Sequence, residues 1–194
     1  MLPLSSDDRR ALLDLARRVL VEAVCHGRTP VTPAVHGALA KPCGAFVTLV
    51  RRGRLRGCIG QIGAVEALAT TVARCTRGAA LEDPRFSPIG ADEVPDVEIE
   101  ISVLSPLEPV QPEGIEVGRH GLTVSLHGRR GVLLPKVAVE YGWTRERFLE
   151  ETCAKAGLEP GAWKEPAARL MAFTAEVFSE ADSPAPRQVP AAER

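Results

Sequence analysis

Leu55-Arg56-Gly57-Cys58-Ile59-Gly60 places a thiol two residues from a guanidinium, between two glycines, in a strand-like segment. Residues two apart on a strand share a face. Arg56 would then stand beside Cys58 and favour its thiolate, which outlines a reactive cysteine. Gly57 and Gly60 lack side chains and let a ligand approach the main chain. Cys58 is therefore the candidate catalytic nucleophile, with Arg56, Gly57 and Gly60 as candidate ligand contacts. A structural cysteine beside a tight turn accounts for the same residues, because free Cys is among the most buried residue types.

A second constellation is Asp83-Pro84-Arg85-Phe86. Asp83 can form a side-chain turn with its own backbone, Pro84 fixes a φ angle, and Phe86 is expected to plug the core. Arg85 is the fourth candidate ligand contact, since a guanidinium grips a carboxylate or phosphate with two bonds; an internal ion pair to a strand carboxylate is the competing role. Glu98 and Glu100 share one strand face, an acid/base pair if that face is covered and a solvated surface if it is not. His120 and His127 flank a strand and read as surface hairpin residues. No Ser-His-Asp or Cys-His arrangement is legible.

The elements that must position these residues follow from periodicity and punctuation. A helix is expected from about Asp7 to His26, capped by Ser5 or Ser6 and stopped by Gly27. Two strands, 44–50 and 55–59, form a hairpin through Arg51-Arg52-Gly53-Arg54. A helix follows over 65–77, with a separate short helical piece at 79–82, and the prolines at 84 and 88 force a loop. The alternation Val97, Ile99, Ile101, Val103 marks a half-buried strand. The second half repeats this order: a hairpin over 121–126 and 131–134, helical turns near 136–141, a helix over 145–156 between Thr144 and Gly157, and a strand over 170–178. The order predicts two repeats, about 44–104 and 121–178, within one domain over 7–180. Residues 1–6 are expected to be a flexible N-terminus and 181–194 a disordered tail. A pocket is expected on the Cys58 side only, because Val132, Leu133 and Leu134 offer no polar group at the matching place.

Composition bounds the function. The 194 residues carry a formal net charge of -1 and only 4% aromatic residues, which argues against a nucleic-acid surface. Five cysteines without a C-x-x-C pair, and four histidines without ligand spacing, support neither a disulfide scaffold nor a metal site. No apolar run spans a bilayer and no signal peptide is visible, so a cytoplasmic protein with reduced thiols is expected.

The motifs resemble those of the AMMECR-domain family, over roughly Asp7 to Glu180. The residues that carry the likeness are Gly44-Ala45-Phe46-Val47-Thr48-Leu49, the 55–60 hexapeptide, Ala79-Ala80 with Asp83-Pro84-Arg85-Phe86, and Glu98-Ile99-Glu100-Ile101-Ser102-Val103-Leu104. They continue in Leu133-Leu134-Pro135-Lys136-Val137-Ala138, Gly142-Trp143, Phe148-Leu149 and Lys155-Ala156-Gly157-Leu158. Lys136 departs from the family's usual glutamine. The chain is most similar to the prokaryotic branch called AmmeMemoRadiSam system protein A. That resemblance implies an α+β fold of two strand-strand-helix-helix-strand repeats sharing a barrel-like, mainly antiparallel sheet, with a cleft beside the 55–60 motif. It also implies partnership with a Memo-like protein and a radical SAM enzyme. The expected function is an enzyme or ligand-binding component of that pathway, with Cys58 as nucleophile. The alternative is a non-catalytic adaptor that presents a substrate to those partners. The residues name no reaction and no cofactor.

Overall fold

Ser5 and Asp8 close a capping box that starts the first helix: Ser5 Oγ accepts the Asp8 N–H at 3.1 Å, and Asp8 Oδ2 accepts the Ser5 N–H at 3.0 Å. Two donors that the first turn leaves orphaned are thereby satisfied. The computed structural model describes residues 4–30 and 34–182. Helix α1 spans Ser6–His26 and ends at Gly27, whose φ is 62°. Leu4 is buried in the core, so residues 4–6 belong to the folded body and not to a flexible N-terminus. At the other end the fold continues to a 3-10 turn at Glu180–Asp182, two residues into the expected tail. The rest of that tail lies outside the described residues.

The described chain is α+β and divides into two compact units. One is formed by the chain up to Val103 together with the segment from Val177, the other by Leu104–Glu176. In the first unit, β1 (Ala45–Arg51) and β2 (Arg54–Gln61) form an antiparallel hairpin. Its turn residues Arg52 and Gly53 have φ of 51° and 73°, the left-handed pair whose twist suits a two-residue link. Helix α2 (Leu68–Leu81) follows, then β3 (Val97–Leu104). The second unit opens with β4 (Glu108–Pro109) and the hairpin β5 (Gly121–Leu126) and β6 (Arg129–Leu133). Helices α3 (Pro135–Glu140) and α4 (Arg145–Lys155) and strand β7 (Arg169–Phe173) complete it. Strand β8 (Ala175–Ser179) ends the series.

The strands build two separate four-stranded sheets, β2-β1-β3-β8 and β4-β7-β5-β6, not the single barrel-like sheet that the family resemblance implied. The reason lies at Thr174. Its N–H donates to Ser105 Oγ and its carbonyl accepts the Ser105 N–H, both at 2.9 Å. That exchange breaks the expected strand over 170–178 into β7 and β8, which join different sheets. Helix α2 shows the opposite surprise, running unbroken where two pieces were expected. Gly78 does not end it: a Cβ there would stand 3.2 Å from the Ile59 side chain, so this glycine gives β2 room to pack on the helix.

In the first unit the α1 residues Leu12, Ala16 and Leu20 meet Leu68, Val72 and Ala79 of α2 over Val47, Leu49, Ile99 and Ile101 of the sheet. Val97, Ile99, Ile101 and Val103 are all fully buried, as their alternation predicts. Glu98 and Glu100 are half-buried on the other face. Among the described residues, no helix is long and apolar enough to cross a membrane.

Candidate functional site

Cys58 lies on β2, one of the two edge strands of the first sheet. Its register partner on β1 is Thr48, and Thr48 in turn faces Glu100 on β3. Directly opposed residues share a face, so a thiol, a hydroxyl and a carboxylate lie in one row across three strands. The Thr48 hydroxyl, in a residue only 5% exposed, donates to Cys58 Sγ at 3.4 Å. Cys58 itself is half-buried.

The main chain of Cys58 is held from the loop after α2. Its N–H donates to Asp83 Oδ2 at 2.8 Å, and its carbonyl accepts Arg85 Nη2 at 3.2 Å. Both groups point away from β1. Asp83 and Arg85 thus supply the acceptor and the donor that a neighbouring strand would have supplied. The Asp83 carboxylate also takes the Arg85 N–H, Nε and Nη2 at 3.1, 2.9 and 2.7 Å. Its hydrogen bonds from Arg85, and those from the two backbone N–H groups, hold Asp83 far below the ordinary carboxylate range. Arg85 is held charged first by Asp83 and further by the Cys58 side chain. Its guanidinium is half exposed and lies 5.5 Å from the centroid of the Phe86 ring. Phe86 is therefore half-buried beneath an arginine, not the core plug expected.

Arg56 does something other than activate the thiol. Its Nε and Nη2 grip Glu93 at 3.0 and 2.8 Å, while Nη1 and Nη2 donate to the carbonyls of Ser87 and Pro88. Arg56 pins the 87–93 loop to β2. The glycines are also occupied. A methyl on Gly57 would fall onto the Ala79 carbonyl of α2, and one on Gly60 onto the Phe46 ring. Protein atoms fill the spaces expected for a ligand. A cavity of about 830 Å³ lies instead within the second unit, lined by residues of β4, β7 and the segments 110–112 and 163–168. None of the predicted site residues borders it. The cause is local: Ala79, Phe46 and the Asp83–Arg85 pair close the motif on three sides.

Sequence reasoning placed Cys58 and Arg85 together only by resemblance, and missed Thr48, Asp83 as a clamp, and Glu93. Alternation along β1 was the available signal for Thr48; Glu93 had none, being 37 residues from Arg56. His127 sits in the β5–β6 turn at φ 48°, and His120 Nδ1 accepts the Glu116 N–H at 3.1 Å. Both are local turn contacts. Among the described residues, no group of three or more His, Cys, Asp or Glu is arranged to hold a metal ion.

Glu93 gives this region a pH signature. The Arg56 hydrogen bonds, then the Gly90 N–H and the charges of Arg56 and Arg51, lower its pKa from 4.5 to about 2. A carboxylate depressed in the folded state contributes stability that is complete above its unfolded pKa and fades as pH falls toward its folded one. The urea midpoint is expected to fall between about pH 4.5 and 2. Glu93→Gln should lower stability at neutral pH and flatten this part of the profile. An unchanged acid limb in the variant would show that Glu93 contributes nothing to it.

Comparison with known proteins places the whole arrangement. The AMMECR1 family model matches residues 13–178. The chain belongs to the AMMECR1 family. It is 39% identical over 186 residues to a protein of Methanothermobacter thermautotrophicus, covering 92% of this chain and 97% of that one. It is 41% identical to protein TK0174 of Thermococcus kodakarensis, covering 87% and 88%. The crystal structure of uncharacterized protein PH0010 from Pyrococcus horikoshii is similar, with a TM-score of 0.83, 38% identity and coverage of 87% and 89%. The AMMECR1 match takes in both hairpins and the 55–60 and 83–86 motifs, so the clamp on Cys58 lies within the AMMECR1 domain.

Proposed function

We propose that this AMMECR1 protein is a component of a pathway shared with a Memo-like protein and a radical SAM enzyme, as in AmmeMemoRadiSam system protein A, acting through Cys58. The motif resemblance supports the pathway. One observation carries the site: the Arg85 guanidinium, half exposed yet fixed by Asp83, reaches Cys58 and donates to its carbonyl. An adjacent cation and a hydroxyl donor are surroundings in which reactive cysteines are found. Arg85 replaces Arg56 as the group that meets an anionic part of the ligand. With the glycine spaces filled, the ligand approaches Cys58 from outside, as a group displayed by a partner or a small electrophile does.

Alkylation rates separate this reading from a structural thiol. Cys25 is exposed, while Cys43, Cys75 and Cys153 are buried, and burial above all pushes the Cys75 thiol up to about 11. On exposure alone Cys25 reacts first. Iodoacetamide labelling at neutral pH, read by mass spectrometry, is expected to modify Cys58 about tenfold faster than Cys25. If Cys25 leads, Cys58 is not a nucleophile. The closed motif would then favour the second reading, a non-catalytic adaptor, and Cys58→Ala should leave binding to a Memo-like partner unchanged.

A further inference from the structure

The cavity of the second unit has no part in the site just described. We infer that it binds a small amphipathic carboxylate, an apolar body ending in one anionic group. Its volume of about 830 Å³ falls within the range of small-molecule sites, which are mostly apolar with a few polar groups. Val110 and Leu170 supply apolar wall, and both pack against the Ile115–Phe148 core cluster, which makes that wall rigid. Two cations border it. Arg169 is exposed and its guanidinium has no ion-pair partner among the described residues. Lys164 lies over the Trp163 ring, 4.9 Å from its centroid, and 3.5 Å from Glu146. Glu165 is the lining carboxylate that opposes them.

The chemistry of the head group follows from the lining cations, Lys164 and Arg169. Trp163 Nε1, on a lining residue, is buried without a hydrogen-bond partner. A buried unpaired N–H is costly, and most such groups in folded proteins find an acceptor. The lining cations select a ligand that brings negative charge, and Trp163, which borders the cavity, reports on it. The carboxylate pairs with Arg169, whose fork suits it. An uncharged analogue of the same shape satisfies only part of this set.

The two tryptophans give two indole N–H resonances, and loss of one in Trp163→Phe assigns them. Titration with 4-phenylbutyrate is expected to move the Trp163 resonance saturably and with one site, leaving that of Trp143 in place. 4-Phenylbutyramide should bind at least tenfold more weakly. Arg169→Gln should weaken phenylbutyrate at least tenfold with an unchanged melting temperature. Equal binding of acid and amide, or an unmoved Trp163 resonance, overturns the assignment. A proline-rich peptide that moves Trp163 where phenylbutyrate does not overturns it in favour of a peptide groove.

Discussion

Gly57→Ala is expected to destabilise the protein by about 3 kcal/mol or more, the upper range for overpacking a filled interior. The new methyl lands on the backbone carbonyl of Ala79, not on a side chain that can rotate away. Helix α2 cannot retreat to make room, because Leu68, Ala69, Val72 and Cys75 are fully buried in the same core. For a chain of this size the melting temperature should fall by roughly 10 °C. Gly63→Ala is the matched control, since a Cβ there meets only the Val65 side chain, at 3.4 Å. Thermal melts of the two variants decide the matter. A Gly57→Ala protein that melts within a degree or two of the parent would mean that α2 yields easily and that the glycine serves something else.

Asp83→Ala is the second large effect. One carboxylate, its side chain 2% exposed, holds the Cys58 N–H and three donors of Arg85. Its removal leaves the Cys58 N–H orphaned and frees a cation, which for buried, charge-assisted bonds costs about 3 kcal/mol. Part of that cost is recovered as the half-exposed Arg85 turns to water. The variant should also alter the labelling rate of Cys58 severalfold in either direction, while Cys25 is unaffected. Asp83→Asn, which keeps one acceptor oxygen, should fall between parent and Asp83→Ala in stability. Chemical denaturation and site-resolved alkylation test both parts; a stability change with Cys58 labelling untouched would confine Asp83 to a purely structural role.

The elements most legible in the sequence were those written in local chemistry. The serine cap of the first helix, the alternation through β3, the Thr144 cap and the glycine turns of both hairpins need only neighbours within a few residues. The misses involved partners far away in sequence. The stretch 65–82 reads as two helical pieces until Ile59 is seen resting on Gly78, and Thr174 reads as mid-strand until Ser105 takes both of its backbone groups. At the site, the spacing of Arg56 and Cys58 pointed to a pair, but the guanidinium had a better offer in Glu93, a bidentate carboxylate. Glycines beside a cysteine suggested open space for a ligand, whereas a helix carbonyl and a phenyl ring occupy it. Residue types announced a special backbone here; only the tertiary structure says what comes close to it.

The Asp83–Arg85 clamp has a consequence for the chain before it is fully folded. Until the loop after α2 docks, β2 presents a bare edge with an unpaired donor and acceptor at Cys58, a template on which another copy can lay a strand. Docking ends that period of stickiness with two side chains instead of a fifth strand. Because Asp83 stays ionised far into acid, mild acidification does not reopen the edge. The docked loop thus closes against self-association an edge that an undocked loop leaves open.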